Sequence, residues 1–320
     1  MNRALFSILV CGAVVCSATK GYAQSTLLPY GDMNRWETRI IKESGIIGGK
    51  KQKVYEIAPT TTIEGDIAYK NKGGSPWATS NVLAHVSGIT KTSTTVFPEE
   101  RGNGYCAKLS TDVQTCKVLG IINIKVLAAG CIYLGSMEEP IKSTSNPQSK
   151  LNSGIPFTKT PKALCFDYKV KLSGQLGRIR ETGFSAVKKI AGKDMPEASL
   201  FLQKRWEDSE GNIHALRVGS MVVRFDQSTG DWRNNQSFTI NYGDLSKEVP
   251  SKPYLALQAG KDARYAINSK GKSVPINEEG WAPEGTQPTH LILQFSSSYG
   301  GAYIGSPGTI LWVDNIGFQY

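Results

Sequence analysis

The closing stretch limits what this chain can fold into more than any other part of it. Leu291, Leu293 and Phe295 alternate on one face of a strand, and after a Gly/Ser/Tyr loop a second strand is predicted over 309–320. Period-two geometry sets Ile310, Trp312, Asp314, Ile316, Phe318 and Tyr320 on one side, so a carboxylate is predicted within an otherwise apolar row, where it needs a partner. A chain that ends on a packed strand closes a β-sandwich, and the opening residues of the mature protein are expected to pair beside it.

Alternation recurs upstream. Leu164, Phe166, Tyr168, Val170 and Leu172 oppose Cys165, Asp167, Lys169 and Lys171, which predicts one buried and one wet face. Phe238, Ile240 and Tyr242 repeat the pattern, and 118–128, 199–206 and 218–225 read as further strands rich in branched and aromatic residues. Gly, Pro, Asn and Asp fill the gaps with turn chemistry, as in Gly102-Asn103-Gly104 and Ser306-Pro307-Gly308. Helical periodicity is sparse, so the predicted fold is an all-β sandwich of jelly-roll type forming a single domain over 24–320. The polar segments 44–75, 174–196 and 259–288 are predicted as long loop insertions, where function would reside on a rigid sandwich.

Asn2 and Arg3 precede an apolar run from Ala4 to Ala18, and Gly21-Tyr22-Ala23 supplies small residues where a signal peptidase reads, so 1–23 is predicted to be a secretory signal. The run is too short to span a membrane comfortably, no later segment approaches the roughly 20 apolar residues required, and Val10 and Val15 before Cys11 and Cys16 disfavour a lipid anchor. The mature protein is therefore expected in a periplasm, at an outer membrane or outside the cell. Lys and Arg number 37 against 27 Asp and Glu, and losing Arg3 and Lys20 lowers the formal charge from +10 to +8. The cations, among them Arg178, Arg180, Lys188 and Lys189, are scattered without interleaved aromatics, which argues against nucleic acid. Attraction to an acidic polysaccharide is the sharper expectation from the charge, beside a plain solvated surface. Cys106, Cys116, Cys131 and Cys165 survive processing and permit three pairings, none of which is assigned. His85, His214 and His290 have no zinc spacing.

Several short motifs fall in a recognisable order. Leu28-Pro29-Tyr30-Gly31-Asp32, Pro76-Trp77-Ala78-Thr79-Ser80-Asn81, Gly104-Tyr105-Cys106-Ala107-Lys108-Leu109, Leu127-Ala128-Ala129-Gly130, Gly154-Ile155-Pro156-Phe157, Pro161-Lys162-Ala163-Leu164, Ser296-Ser297-Ser298 and Leu311-Trp312-Val313-Asp314-Asn315 follow one another along the mature chain. Together they resemble the putative carbohydrate metabolism domain of exported Bacteroidetes proteins. The resemblance implies a jelly-roll β-sandwich akin to carbohydrate-binding modules. This chain departs from the pattern in having Tyr30 and Cys131 where Asn is usual, and Met33 where Phe is usual.

Sugar rings present C–H patches ringed by hydroxyls, so a site wants an exposed aromatic plane flanked by amides, acids or Arg. Trp77 with Asn81, and Trp232 with Arg233, Asn234, Asn235 and Gln236, fit that recipe, as do Tyr299 and Tyr303 in a Gly-rich loop; the leading candidates are Trp232 and Tyr303. Trp312 and Trp36 are expected in the core. Asp314 and Asp32 could hold a structural calcium if the first and last strands are neighbours; otherwise Asp314 accepts from backbone N–H groups or a nearby Lys or Arg. No catalytic residues are identified: the doublets Glu99-Glu100, Glu138-Glu139 and Glu278-Glu279 point opposite ways on strands and read as solvated charge, and no nucleophile elbow or phosphate loop is complete. The expected function is non-catalytic recognition of a polysaccharide or oligosaccharide. A glycoside hydrolase or polysaccharide lyase with an unidentified carboxylate pair is the first alternative, and an adhesin or assembly component binding a cell-surface protein is the second.

Overall fold

The computed structural model describes residues 25–70, 74–86, 88–118, 122–143, 145–183 and 186–320, so the predicted leader lies outside the described residues. Among the described residues no α-helix occurs; the fold is an all-β sandwich of two large curled sheets. The eight-stranded sheet runs Thr182–Gly183, Ile122–Ala129, Gly104–Val118, Ile310–Gln319, Ala163–Lys171, Arg233–Thr239, with Thr26–Leu27 and Val96–Arg101 attached to its centre. The ten-stranded sheet is built around Cys131–Met137, His290–Ser296, Glu197–Glu207, Ile213–Arg224 and Ser273–Trp281. From Ala163 onward the chain crosses repeatedly between the two sheets, as a jelly roll does.

The predicted alternation places the core. Leu164, Phe166 and Val170 point inward with Leu311 and Val313, and meet Leu200, Leu202, Leu291, Leu293 and Phe295 of the facing sheet. Phe166 stands edge-on to Phe295 at 4.9 Å and stacks on Phe238 at 4.6 Å, a geometry that adds to simple area burial. The first strand does pair beside the last, with Thr26 opposite Phe318 and Leu27 opposite Gly317. The chain then passes so close that a Cβ on Gly31 would lie 2.3 Å from the Ile316 carbonyl oxygen, so only glycine fits there.

The closing strand departs from the prediction at one residue. Asn315 adopts φ 51, and pairing with Ala163–Lys171 shifts register between Cys165 and Asp167. This bulge turns Ile316 and Phe318 to the core alongside Leu311 and Val313, and leaves Trp312 and Asp314 on the outer face. The predicted apolar row with a carboxylate in its middle is therefore two half-rows on opposite faces. Asn is among the few residues that accept this conformation readily.

The segments predicted as loops carry short strands. Within 44–75 lie Lys51–Ile57 and Thr61–Glu64, which form a three-stranded sheet with Trp36–Lys42. Within 174–196 lie Arg178–Arg180 and Lys188–Ile190, and within 259–288 lie Tyr265–Ile267 and Ser273–Trp281. Polar alternation on the small, solvated sheets is too weak to be seen as periodicity, and Ser273–Trp281, a strand of the ten-stranded sheet, puts a buried Glu278 in the same row as Ile276. The strand predicted over 118–128 is in fact the meeting point of Gly104–Val118 and Ile122–Ala129, paired with Val118 opposite Ile122. Tyr30 and Met33 adopt φ 59 and 48, and the Arg35 guanidinium lies 3.8 Å from the Tyr30 ring centroid. Asn, usual at the first position, suits that conformation better than Tyr. Among the described residues Cys106, Cys116, Cys131 and Cys165 are unpaired.

Candidate functional site

On the outer face of the eight-stranded sheet, register aligns a row of residues from successive strands. Phe97 is opposite Lys108, Lys108 opposite Trp312, and Trp312 opposite Lys169. The Lys169 ammonium lies 4.3 Å from the Trp312 ring centroid and 5.7 Å from that of Trp232, which leads into the edge strand Arg233–Thr239. The Trp312 indole N–H donates to Glu99 Oε1 at 2.7 Å, and Lys108 pairs with Glu99 Oε2 at 2.8 Å. Burial raises the Glu99 pKa, but hydrogen bonds from Lys108 and Trp312 outweigh it and hold the carboxyl below its ordinary value.

The next row holds the acids. Asp167 and Asp314 are direct cross-strand partners, and Arg101 reaches between them: Nη1 donates to Asp314 Oδ2 at 2.5 Å, and Nη2 to Asp167 Oδ2 at 2.8 Å and Asn234 Oδ1 at 2.8 Å. The same guanidinium lies 3.8 Å from the Trp232 ring centroid, so one side chain binds two acids and fixes an aromatic plane. Asp167 also accepts from the Asn235 backbone at 2.7 Å and the Asn315 side chain at 2.8 Å, and Asp314 from the Asn315 backbone at 2.7 Å. The bulge residue thus donates to both acids. Burial pushes the Asp314 carboxyl upward, with Arg101 and the Asn315 N–H pulling against it.

These contacts sort the predicted residues. Trp232 is half-buried at the surface, with Arg233, Asn234 and Asn235 exposed beside it. Asp314 joins them, which the sequence did not suggest, because the bulge and the Arg101 bridge both depend on strand pairing. Trp312 is shielded but lies on this outer face rather than in the core where it was expected. Trp36 is in the core, its indole bonded to the Met33 carbonyl.

Trp77 and Asn81 cannot face a sugar. Trp77 is 1% exposed and its indole N–H is taken by the Pro29 carbonyl at 2.9 Å. Asn81, also buried, donates to the Tyr55 and Val96 carbonyls and accepts from the Thr95 and Val96 N–H groups, which uses its amide fully. Tyr299 is held between the Arg178 and Arg224 guanidiniums at 4.5 and 4.1 Å, and Tyr303 is half-buried with φ 66; both stand in the loop before Ile310–Gln319. Asp32 is half-buried with its Oδ1 enclosed and without a hydrogen-bond partner among the described residues, while Asp314 is bonded to Arg101 and its own neighbour's N–H; among the described residues no cluster of three or more His, Cys, Asp or Glu with metal-binding geometry occurs.

The glutamate doublets do point opposite ways, but two are half buried rather than solvated. Glu139 is sealed against Arg39, which also binds Glu56, and Glu278 is sealed against Arg217, while Glu138 and Glu279 remain at the surface.

Residues 49–182 match the family model of the putative carbohydrate metabolism domain. The matched segment includes Arg101, Asp167 and Lys169, and ends before Trp232 and Asp314. A solved structure described as a putative glycoside hydrolase from Bacteroides thetaiotaomicron aligns with 88% of this chain and 70% of its own, at 18% identity and a TM-score of 0.48. No curated protein matches the chain.

Proposed function

We propose that this chain is an exported, non-catalytic glycan-binding protein that receives sugar on the outer face of its eight-stranded sheet, at Trp232. The observation that carries the reading is the fixed and partly open Trp232 plane, stacked on Arg101 at 3.8 Å and bordered by the exposed Arg233, Asn234 and Asn235. A rigid aromatic beside hydrogen-bonding groups is what a sugar ring requires, and orientation fixed in advance lowers the entropy cost of binding. The match to a carbohydrate-related domain supports the same class of ligand. Among the described residues Lys169 makes no ion pair, and its place between the two indoles would favour an acidic or hydroxyl-rich residue at that point.

One observation favours glycoside hydrolysis as a second reading. Asp167 and Asp314 form a close carboxylate pair next to a tryptophan, and burial raises the pKa of Asp314, as a general acid needs. Against catalysis, both carboxylates are nearly buried and occupied by Arg101, so neither has a free path to a glycosidic oxygen.

Migration of the full mature chain in native gels cast with neutral and acidic polysaccharides, at low and raised salt, tests the first reading. Salt-resistant retention by a glycan is expected; retention by no glycan overturns it. Release of new reducing ends, lost in Asp314→Asn, would transfer the assignment to the second reading.

A further inference from the structure

Trp206 lies outside the site just described, on the ten-stranded sheet. It is 43% exposed near the end of Glu197–Glu207, directly opposite His214 on Ile213–Arg224, and the two rings lie almost parallel with centroids 5.5 Å apart and an interplanar angle of 14°. Among the described residues no cation or second aromatic stands against the indole other than His214, and its N–H has no hydrogen-bond partner.

The imidazole is itself fixed. His214 Nδ1 is 2.5 Å from Glu279 Oε1 and Nε2 is 3.2 Å from Asp208 Oδ2. Both carboxylates raise the His214 pKa, so the ring is a donor on both sides over a wider pH range than a free histidine. The Glu279 side chain is 48% exposed. Lys204, two residues before Trp206 and therefore on the same strand face, is exposed and without an ion pair among the described residues.

A hairpin end of this kind is ordinarily mobile, but this one is tied down. Asp208 accepts from the backbones of Glu210 and Asn212, each at 2.9 Å, and from the Asn212 side chain at 2.8 Å. The facing turn adds further bonds: Ser269 to Glu207 at 2.6 Å, Asn268 to the Gly211 carbonyl at 2.8 Å, and Lys270 to the Glu210 carbonyl at 2.8 Å. Rigidity in an exposed tryptophan serves no packing purpose; it does serve a ligand that must find the plane already oriented.

We propose that Trp206 is a second sugar platform, which rests on the glycan-binding reading above and takes a neutral pyranose. The ring stacks on the indole face that His214 leaves open, and Lys204, on the same strand face, donates to a ring or hydroxyl oxygen. Asp208 and Glu279 flank the His214 ring beneath the indole, and Glu207 and Glu210 belong to the same hairpin end, which disfavours uronates and sulfated sugars. Two separated platforms on one chain would let a polymer bind at both and gain avidity.

The test compares wild type, Trp206→Ala, Trp206→Phe and Trp232→Ala for affinity to hydroxyethylcellulose, xyloglucan and galactomannan in native gels, with melting temperatures for each. The expectation for Trp206→Ala is about tenfold weaker retention, Trp206→Phe staying near wild type, with all melting temperatures close together. Wild-type retention by Trp206→Ala, with loss in Trp232→Ala, overturns the second platform and leaves the first standing. Retention by no neutral glycan overturns the second platform whatever acidic glycans do.

Discussion

Asp167 and Asp314 face each other across two antiparallel strands, and the single guanidinium of Arg101 donates to both. Like charges placed directly opposite destabilise a sheet unless a cation stands between them. Arg101 therefore supports the sheet and orients Trp232 at once.

Replacing Arg101 with Leu should cost about 2–3 kcal/mol, less than a fully buried pair because the guanidinium is partly solvated. Urea denaturation checks the figure. Adding Asp314→Asn should recover much of the loss by removing one of the two unbalanced charges; no recovery would mean that Arg101 acts through packing alone.

Trp77 and Asn81 should behave as core residues. Trp77→Ala is expected to cost about 3–5 kcal/mol through the cavity it leaves. Asn81→Ala should cost at least about 2 kcal/mol, since it strands buried backbone donors and acceptors. Glycan binding by whatever folds should be unchanged, measured on protein well below its melting temperature.

A buried triad should make stability depend on pH. Arg39 serves both Glu56 and Glu139, one cation for two carboxylates, and burial pushes Glu56 up to about 8 from an ordinary 4.5. The folded state therefore holds a proton that the unfolded state releases. Stability is highest below the ordinary value and falls as pH rises through the raised one. Melting temperature should drop across that interval, and Glu56→Gln should flatten the profile.

His214 should titrate above its ordinary value of 6.5, because Asp208 and Glu279 both stabilise the imidazolium. Its stabilising contribution is present below the ordinary value and disappears as pH rises through the raised one. Proton NMR on wild type, Asp208→Asn and Glu279→Gln should show the pKa falling in each variant. An unchanged value would mean that the two contacts do not persist in solution.

Much of the architecture could be read from alternation, and the limits of that reading have specific causes. Leu164, Phe166 and Val170 kept period two, and so their inward face was predicted correctly, whereas Cys165 and Asp167, on the face predicted to be wet, are buried under the neighbouring strands and the Arg101 bridge. The closing strand broke the period at Asn315, and a bulge is invisible to a pattern that assumes none. That one residue decides whether Asp314 and Trp312 belong to the core or to the site. Trp77 and Trp232 both stand near amides in sequence, and the turn-rich surroundings that favoured Trp232 agree with its burial: Trp77 is sealed in the core and Trp232 is half-buried at the surface. Trp206 was absorbed into a strand correctly, but a strand that outruns its sandwich leaves its end uncovered, which local sequence does not reveal. Glu139 and Glu278 were read as solvated because their arginine partners lie far along the chain.

The most direct test of glycan recognition by the outer sheet face is the affinity of Trp232→Ala for whichever polysaccharide retains the wild type, measured together with its melting temperature. The structure predicts a loss of retention of about tenfold with the melting temperature nearly unchanged, because Trp232 stacks on Arg101 without filling the core. Retention equal to wild type would contradict the account.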